Sequence, residues 1–173
     1  MPNRILITYA SRAGSTAEIA EAIAKTLDEA GGMQVDVIPM KDVKDLSPYQ
    51  AVVAGSAIRG SKWLPEAVEF IQAQQSNLAQ KKVVMFTVCI TMAMKNAENY
   101  RSGVMNWVAP IRAVIKPISE GLFAGRLDFS KLPVNKDTLG LRLSVALGIF
   151  PRGDHRDWNA IRSWAQSLKP ILG

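Results

Sequence analysis

From its first residues the chain alternates short apolar runs with amphipathic stretches. Ile5-Leu6-Ile7-Thr8-Tyr9 is apolar and rich in β-branched residues, the pattern of a parallel strand buried on both faces. From Ser15 to Ala30 the apolar positions Ile19, Ala20, Ile23, Ala24 and Leu27 recur at helical spacing, and Gly31-Gly32 ends the run. Further strands are predicted at Val35–Ile38, Ala51–Gly55, Val83–Val88 and, more weakly, Ser119–Phe123. Pro65 opens a helix carrying Val68, Phe70 and Ile71. Residues 97–116 read as helical with a kink or an end at Pro110, and a last helix starts near Asp157. Strands alternating with helices predict βαβ units and a parallel sheet covered on both faces. There is no internal repeat and no break in composition. The expectation is one domain over residues 1–173, with an irregular insertion at about 125–156.

Composition narrows the chemistry. One cysteine among 173 residues excludes a disulfide framework and multi-cysteine zinc or iron–sulfur sites. His155 is the only histidine and has no partner at ligand spacing, so no metal site is expected. No apolar run approaches the length that spans a bilayer, and the start of the chain lacks a signal-peptide core; a cytoplasmic location is expected. Charge is distributed unevenly. Residues 1–88 hold 9 Lys/Arg and 9 Asp/Glu, whereas residues 89–173 hold 12 and 6, so the net charge of +6 lies in the second half. That asymmetry points either to an anionic partner or to a solvated face. No aromatic–basic interleaving supports a nucleic-acid partner.

In an open α/β sheet, ligands sit outside the carboxyl ends of the strands where the strand order reverses. The loop after the first strand, Ser11-Arg12-Ala13-Gly14-Ser15-Thr16, joins a buried strand to a helix N-terminus. Its hydroxyls, its glycine and the free amides of the helix end can cradle a phosphate, with Arg12 adding charge; a plain helix cap is the other reading. There is no GxGxxG. Gly55 to Lys62 imitates a P-loop but has Ser61 where that motif needs lysine. The segment reads better as one wall of a ring site: Ser56, Ala57 and Gly60 are small, Ile58 and Trp63 are flat and apolar, and Arg59 is cationic. Cys89, Ile90 and Thr91, after the fourth strand, form a second wall, with Met92 and Met94 beside them. A phosphate cradle flanked by two apolar loops suits a planar cofactor with a phosphorylated tail, and FMN is such a cofactor. Cys89 reads as a small packing residue rather than a redox group.

Tyr9–Thr16 (YASRAGST), Gly55–Lys62 (GSAIRGSK), Gly121–Asp128 (GLFAGRLD) and Gly153–Trp164 (GDHRDWNAIRSW) resemble, in this order, motifs of the flavodoxin-like family. The resemblance is nearest to the branch containing the bacterial quinone-dependent protoporphyrinogen dehydrogenases. It implies a three-layer α/β/α fold with a five-stranded parallel sheet in the order 2-1-3-4-5, and FMN as cofactor. Ala13 stands where the family's phosphate loop usually has threonine, which removes one hydroxyl donor. The family sets an aromatic side chain against the ring, and Trp63 is the only aromatic in either loop. Electron-carrier flavodoxins are generally acidic, so this basic chain departs toward the dehydrogenase-like branch.

Residues 139–150 (LGLRLSVALGIF) then read as packing, as a wall for a hydrophobic substrate, or as a peripheral membrane contact. Arg59, Arg126, Arg142, Arg152 and Arg156 are candidates for steering a dicarboxylate such as a porphyrinogen. Three functions remain open at this stage. The first is an FMN oxidoreductase passing reducing equivalents from a porphyrinogen-like or hydrophobic donor to a quinone, with no catalytic side chain nominated. The second is an FMN electron carrier between redox partner proteins. The third is a flavin-free binding module.

Overall fold

A computed structural model describes residues 3–173. In chain order the elements are β1 (Asn3–Ala10), α1 (Ser15–Glu29), β2 (Met33–Pro39), β3 (Ala51–Arg59), β4 (Lys62–Trp63), α2 (Pro65–Ala73), α3 (Gln75–Leu78) and β5 (Lys82–Val88). They continue with α4 (Glu98–Trp107), α5 (Ala109–Ile115), β6 (Ser119–Phe123), β7 (Arg126–Leu127), α6 (Lys136–Ala146), β8 (Gly153–Asp154) and α7 (Trp158–Leu172).

The main sheet runs β2-β1-β3-β5-β6, all parallel, with β4 turned back antiparallel on β3. Counting only the parallel strands, this is the predicted order 2-1-3-4-5. Alternate residues of each central strand feed two separate cores. Ile5, Ile7, Val53, Val84 and Phe86 pack with α1 and α7, whereas Leu6, Val52, Ala54, Val83 and Met85 pack with α2 and α5. Both faces are therefore covered, which is why the strands read as unbroken apolar runs. Helix α7 turns Ile161, Ala165, Leu168 and Leu172 to the sheet. The Asp157 carboxylate caps it, accepting from the Ala160 amide at 2.9 Å. Trp164 packs edge-on against Phe123 at 5.4 Å and Phe86 at 6.4 Å, so Trp164 and the partly buried Trp158 are packing residues.

Two regions differ from expectation, and residues 97–116 break near Pro110 as expected. The segment read as a loop after β3 is a tight hairpin. Gly60 and Ser61 both have positive φ, which matches the twist of the flanking strands, and Ile58 pairs with Trp63. Residues 97–116 are two helices broken at Val108, because Pro110 cannot sit deep in a helix but fits the first turn of α5. Residues 125–156 are more ordered than their pattern predicted. β7 and β8 pair antiparallel, Leu127 opposite Gly153, and residues 128–152 form an excursion from that pair. Within it, a reciprocal Asn135–Thr138 capping box starts α6. Leucines lie all round α6, so the periodicity that reveals a one-sided helix is missing.

Candidate functional site

A cavity of about 390 Å³ opens at the carboxyl ends of β1, β3 and β5, where the strand order reverses. Its polar end is the start of α1. Gly14, at φ +88°, makes the left-handed bend into the helix and carries no capping side chain. The first amides of α1 are therefore left for water or a ligand. Ser11 holds the bend, its Oγ accepting from the Gly14 amide at 3.1 Å. Ser11, Arg12, Ala13, Ser15 and Thr16 line the cavity. Thr16 is fully buried and its Oγ1 has no hydrogen-bond partner. A buried hydroxyl without a partner costs about 1–3 kcal/mol, so this one is poised for an acceptor placed in the cavity.

The other end is apolar. Ala57, Ile58, Arg59 and Gly60 of the β3 hairpin form one side, and Cys89, Ile90 and Thr91 after β5 form another. Burial pushes the Cys89 thiol up, so it stays protonated at neutral pH and serves as a small apolar wall. The excursion closes the remaining side with Leu132, Leu141 and Phe150, and Trp107 from the end of α4 stands beside them.

Several predicted residues lie elsewhere. Trp63 is 2% exposed and packs in the core beneath α2 and α5, where its Nε1–H donates to Thr87 Oγ1 at 3.0 Å. It is not on the cavity wall: its hairpin partner Ile58 and the next residue, Leu64, line the cavity, whereas the indole is buried in the core. The aromatic rings that do line the cavity are Trp107 and Phe150; Trp107 had no signal in the sequence, and Phe150 lay in the run flagged as a hydrophobic wall. Ser56 is structural: its hydroxyl donates to the Ala57 carbonyl at 2.9 Å and accepts from the Leu64 amide at 3.1 Å. Met92 and Met94 do not line the cavity. Arg12 is on the wall, but its guanidinium is engaged by Glu66 through bonds of 2.6 and 3.0 Å.

The other arginines are divided among partners rather than gathered on one anion site. Arg142 and Arg152 stack on the Phe129 ring. Arg156, its side chain 3% exposed, ties the excursion to α1: it binds Glu18 at 2.6 Å, chelates Asp154 and covers the Trp158 ring at 4.5 Å. Its hydrogen bonds hold the Glu18 carboxyl below the usual range and lower Asp154 to about 2, so both are anionic at neutral pH. The His155 ring nitrogen Nε2 lies 3.1 Å from the Arg152 carbonyl. Among the described residues no helix is long and apolar enough to cross a membrane.

Comparisons with known proteins agree with this geometry. A family model described as a flavodoxin domain matches residues 6–139. A protoporphyrinogen IX dehydrogenase [quinone] from Leishmania major is 24% identical over 126 residues, covering 72% of this chain and 54% of that protein. The chain thus spans about half the length of this curated relative. Two solved structures share the fold. A Streptococcus pneumoniae flavodoxin aligns over 97% of this chain and 99% of its own, with 16% identity and a TM-score of 0.61. The rubredoxin:oxygen oxidoreductase of Desulfovibrio gigas aligns over 98% of this chain and 36% of its own, with 16% identity and a TM-score of 0.56. With the matched region covering most of its length and a parallel sheet in flavodoxin order, the chain belongs to the flavodoxin domain family.

Proposed function

We propose that this chain binds FMN in the cavity and oxidises a hydrophobic, porphyrinogen-like donor, passing the electrons to a quinone at a membrane surface. The observation that carries the reading is the third wall. A flavin site needs the phosphate cradle and the two loops; the excursion adds Leu132, Leu141 and Phe150, an apolar surface suited to a second flat hydrophobic molecule. Similarity to a protoporphyrinogen IX dehydrogenase [quinone] supports that choice of donor and acceptor.

The donor set fits the cofactor. The free amides of α1, the hydroxyls of Ser11 and Ser15 and the unpartnered Thr16 Oγ1–H would hold the phosphate. Ile58 and Ile90 would flank the ring, and the neutral Cys89 thiol adds no competing nucleophile. Bound there, FMN supplies reversible two-electron redox chemistry. The chain's own contribution is to orient the ring, exclude water through the apolar walls and leave the excursion side as the approach for the donor.

The outer face of α6 supports the membrane location. Leu139, Leu143 and Leu147, four residues apart, are 62%, 60% and 67% exposed, and Ile149 follows them. The exposed cations Lys131, Lys136 and Arg152 belong to the same excursion. An apolar helix face with nearby cations suits the boundary of an anionic bilayer, where lipophilic quinones dissolve.

Anaerobic incubation of the FMN-loaded protein with protoporphyrinogen IX and menadione tests the reading. The expected result is formation of fluorescent protoporphyrin with three quinones reduced to quinol per porphyrin formed, beyond a protein-free control. No turnover, together with rapid electron exchange with a flavodoxin reductase, would instead make the chain an electron carrier.

A further inference from the structure

We propose that Arg126 is a phosphate-binding residue of this site, supplying by charge what Ala13 withholds as a hydroxyl. The inference rests on the reading that the cavity holds FMN.

Arg126 lies in β7, far in sequence from the phosphate loop, yet lines the same cavity as Ser15 and Thr16. Gly125 brings it there. A Cβ on Gly125 would stand 3.2 Å from Val88 Cγ1 and 3.9 Å from Ser15 Oγ, so its backbone lies against the end of β5 and the start of α1. The Arg126 guanidinium is incompletely matched. Its Nη2 is buried without a hydrogen bond; the nearest anionic atom, Glu18 Oε1, is 3.3 Å away and out of line. Glu18 does not need it, because Arg156 already binds the other carboxylate oxygen at 2.6 Å. Arg126 is therefore free to turn from Glu18 toward a stronger acceptor without leaving that carboxylate unpaired.

Three incomplete groups thus meet in one cavity: uncapped amides at the start of α1, the buried Thr16 hydroxyl without an acceptor, and the buried Arg126 Nη2–H without an acceptor. All three are donors, and a phosphate dianion bound in the cavity would be an acceptor for each. The arrangement also bears on why an acidic residue, Glu18, is tolerated in the first turn of a phosphate-binding helix: Arg156 pairs with Glu18 and Asp154 together, and Arg126 brings that cluster to neutrality.

The test compares FMN with riboflavin, which carries the ring but no phosphate, by fluorescence titration of wild type and Arg126→Gln. Wild type should bind FMN far more tightly than riboflavin. Arg126→Gln should weaken FMN about 10- to 100-fold while changing riboflavin less than about 2-fold. Riboflavin binding by the variant also reports that the site is folded; should the glutamine variant not fold, Arg126→Met, which keeps an unbranched apolar stem, takes its place with the same expectation. Unchanged FMN affinity, or equal losses for both flavins, overturns the role of Arg126 and leaves the FMN site standing. A wild type that binds neither flavin overturns the FMN reading itself.

Discussion

Gly55→Ala should cost about 3 kcal/mol of stability, the upper end of what overpacking a core usually costs. Gly55 lies in the middle of β3, directly across from Phe86 of β5. A Cβ there would fall 2.0, 2.2 and 2.4 Å from three atoms of the Phe86 ring, which packs flat over the glycine. Phe86 is fully buried and held edge-on by Trp164, so it has no free space to enter. For a chain of this size, such a loss lowers the melting temperature by roughly 10 °C. Urea unfolding measures it directly, and Gly55→Ala combined with Phe86→Leu should recover part of the loss by thinning the ring. A cost below about 1 kcal/mol for Gly55→Ala alone would show that this contact is not tight.

Excising the excursion should separate cofactor binding from donor oxidation. Leu127 and Gly153 are already paired across β7 and β8, so Asn-Gly in place of residues 128–152 makes a two-residue hairpin. The polar groups removed largely satisfy one another: Thr138 with Asn135 and the Pro133 carbonyl, Ser130 with Asp128, Arg142 with the Phe129 carbonyl. Arg126, Asp154 and Arg156, which fasten this edge to Glu18, all remain. The shortened protein should therefore fold and retain FMN. Without Leu132, Leu141 and Phe150 to position the donor, turnover should fall by about 100-fold or more. Without Leu139, Leu143 and Leu147, co-sedimentation with anionic vesicles should be lost. Wild-type turnover and vesicle binding by the shortened chain would remove the excursion from both roles.

The architecture was readable because parallel strands covered on both faces need unbroken apolar runs, and Ile5–Tyr9, Ala51–Gly55 and Val83–Val88 have them. The cavity-lining loop after β1 was picked out for a similar local reason: it sets hydroxyls and a glycine between a strand and a helix. What escaped detection depended on contacts distant in sequence. Trp63 was assigned to the ring on type and position alone, but the strand pairing that turns it toward Thr87 is set by the hairpin. Trp107 and Phe150 reach the cavity only because α4 and the excursion fold over it. Arg126 and Arg156 resembled surface cations until Glu18, more than 100 residues earlier, proved to be their shared partner. Helix α6 escaped because its leucines serve two surfaces, one turned to the cavity and one outward, which erases the one-sided pattern.

FMN binding in the cavity is tested most directly by the visible absorbance of the purified protein after incubation with excess FMN and desalting. Flavin absorbance should stay with the protein at about one FMN per chain, and Thr16→Val should lower its retention. A folded protein that emerges colourless from the same treatment would contradict FMN binding in this cavity.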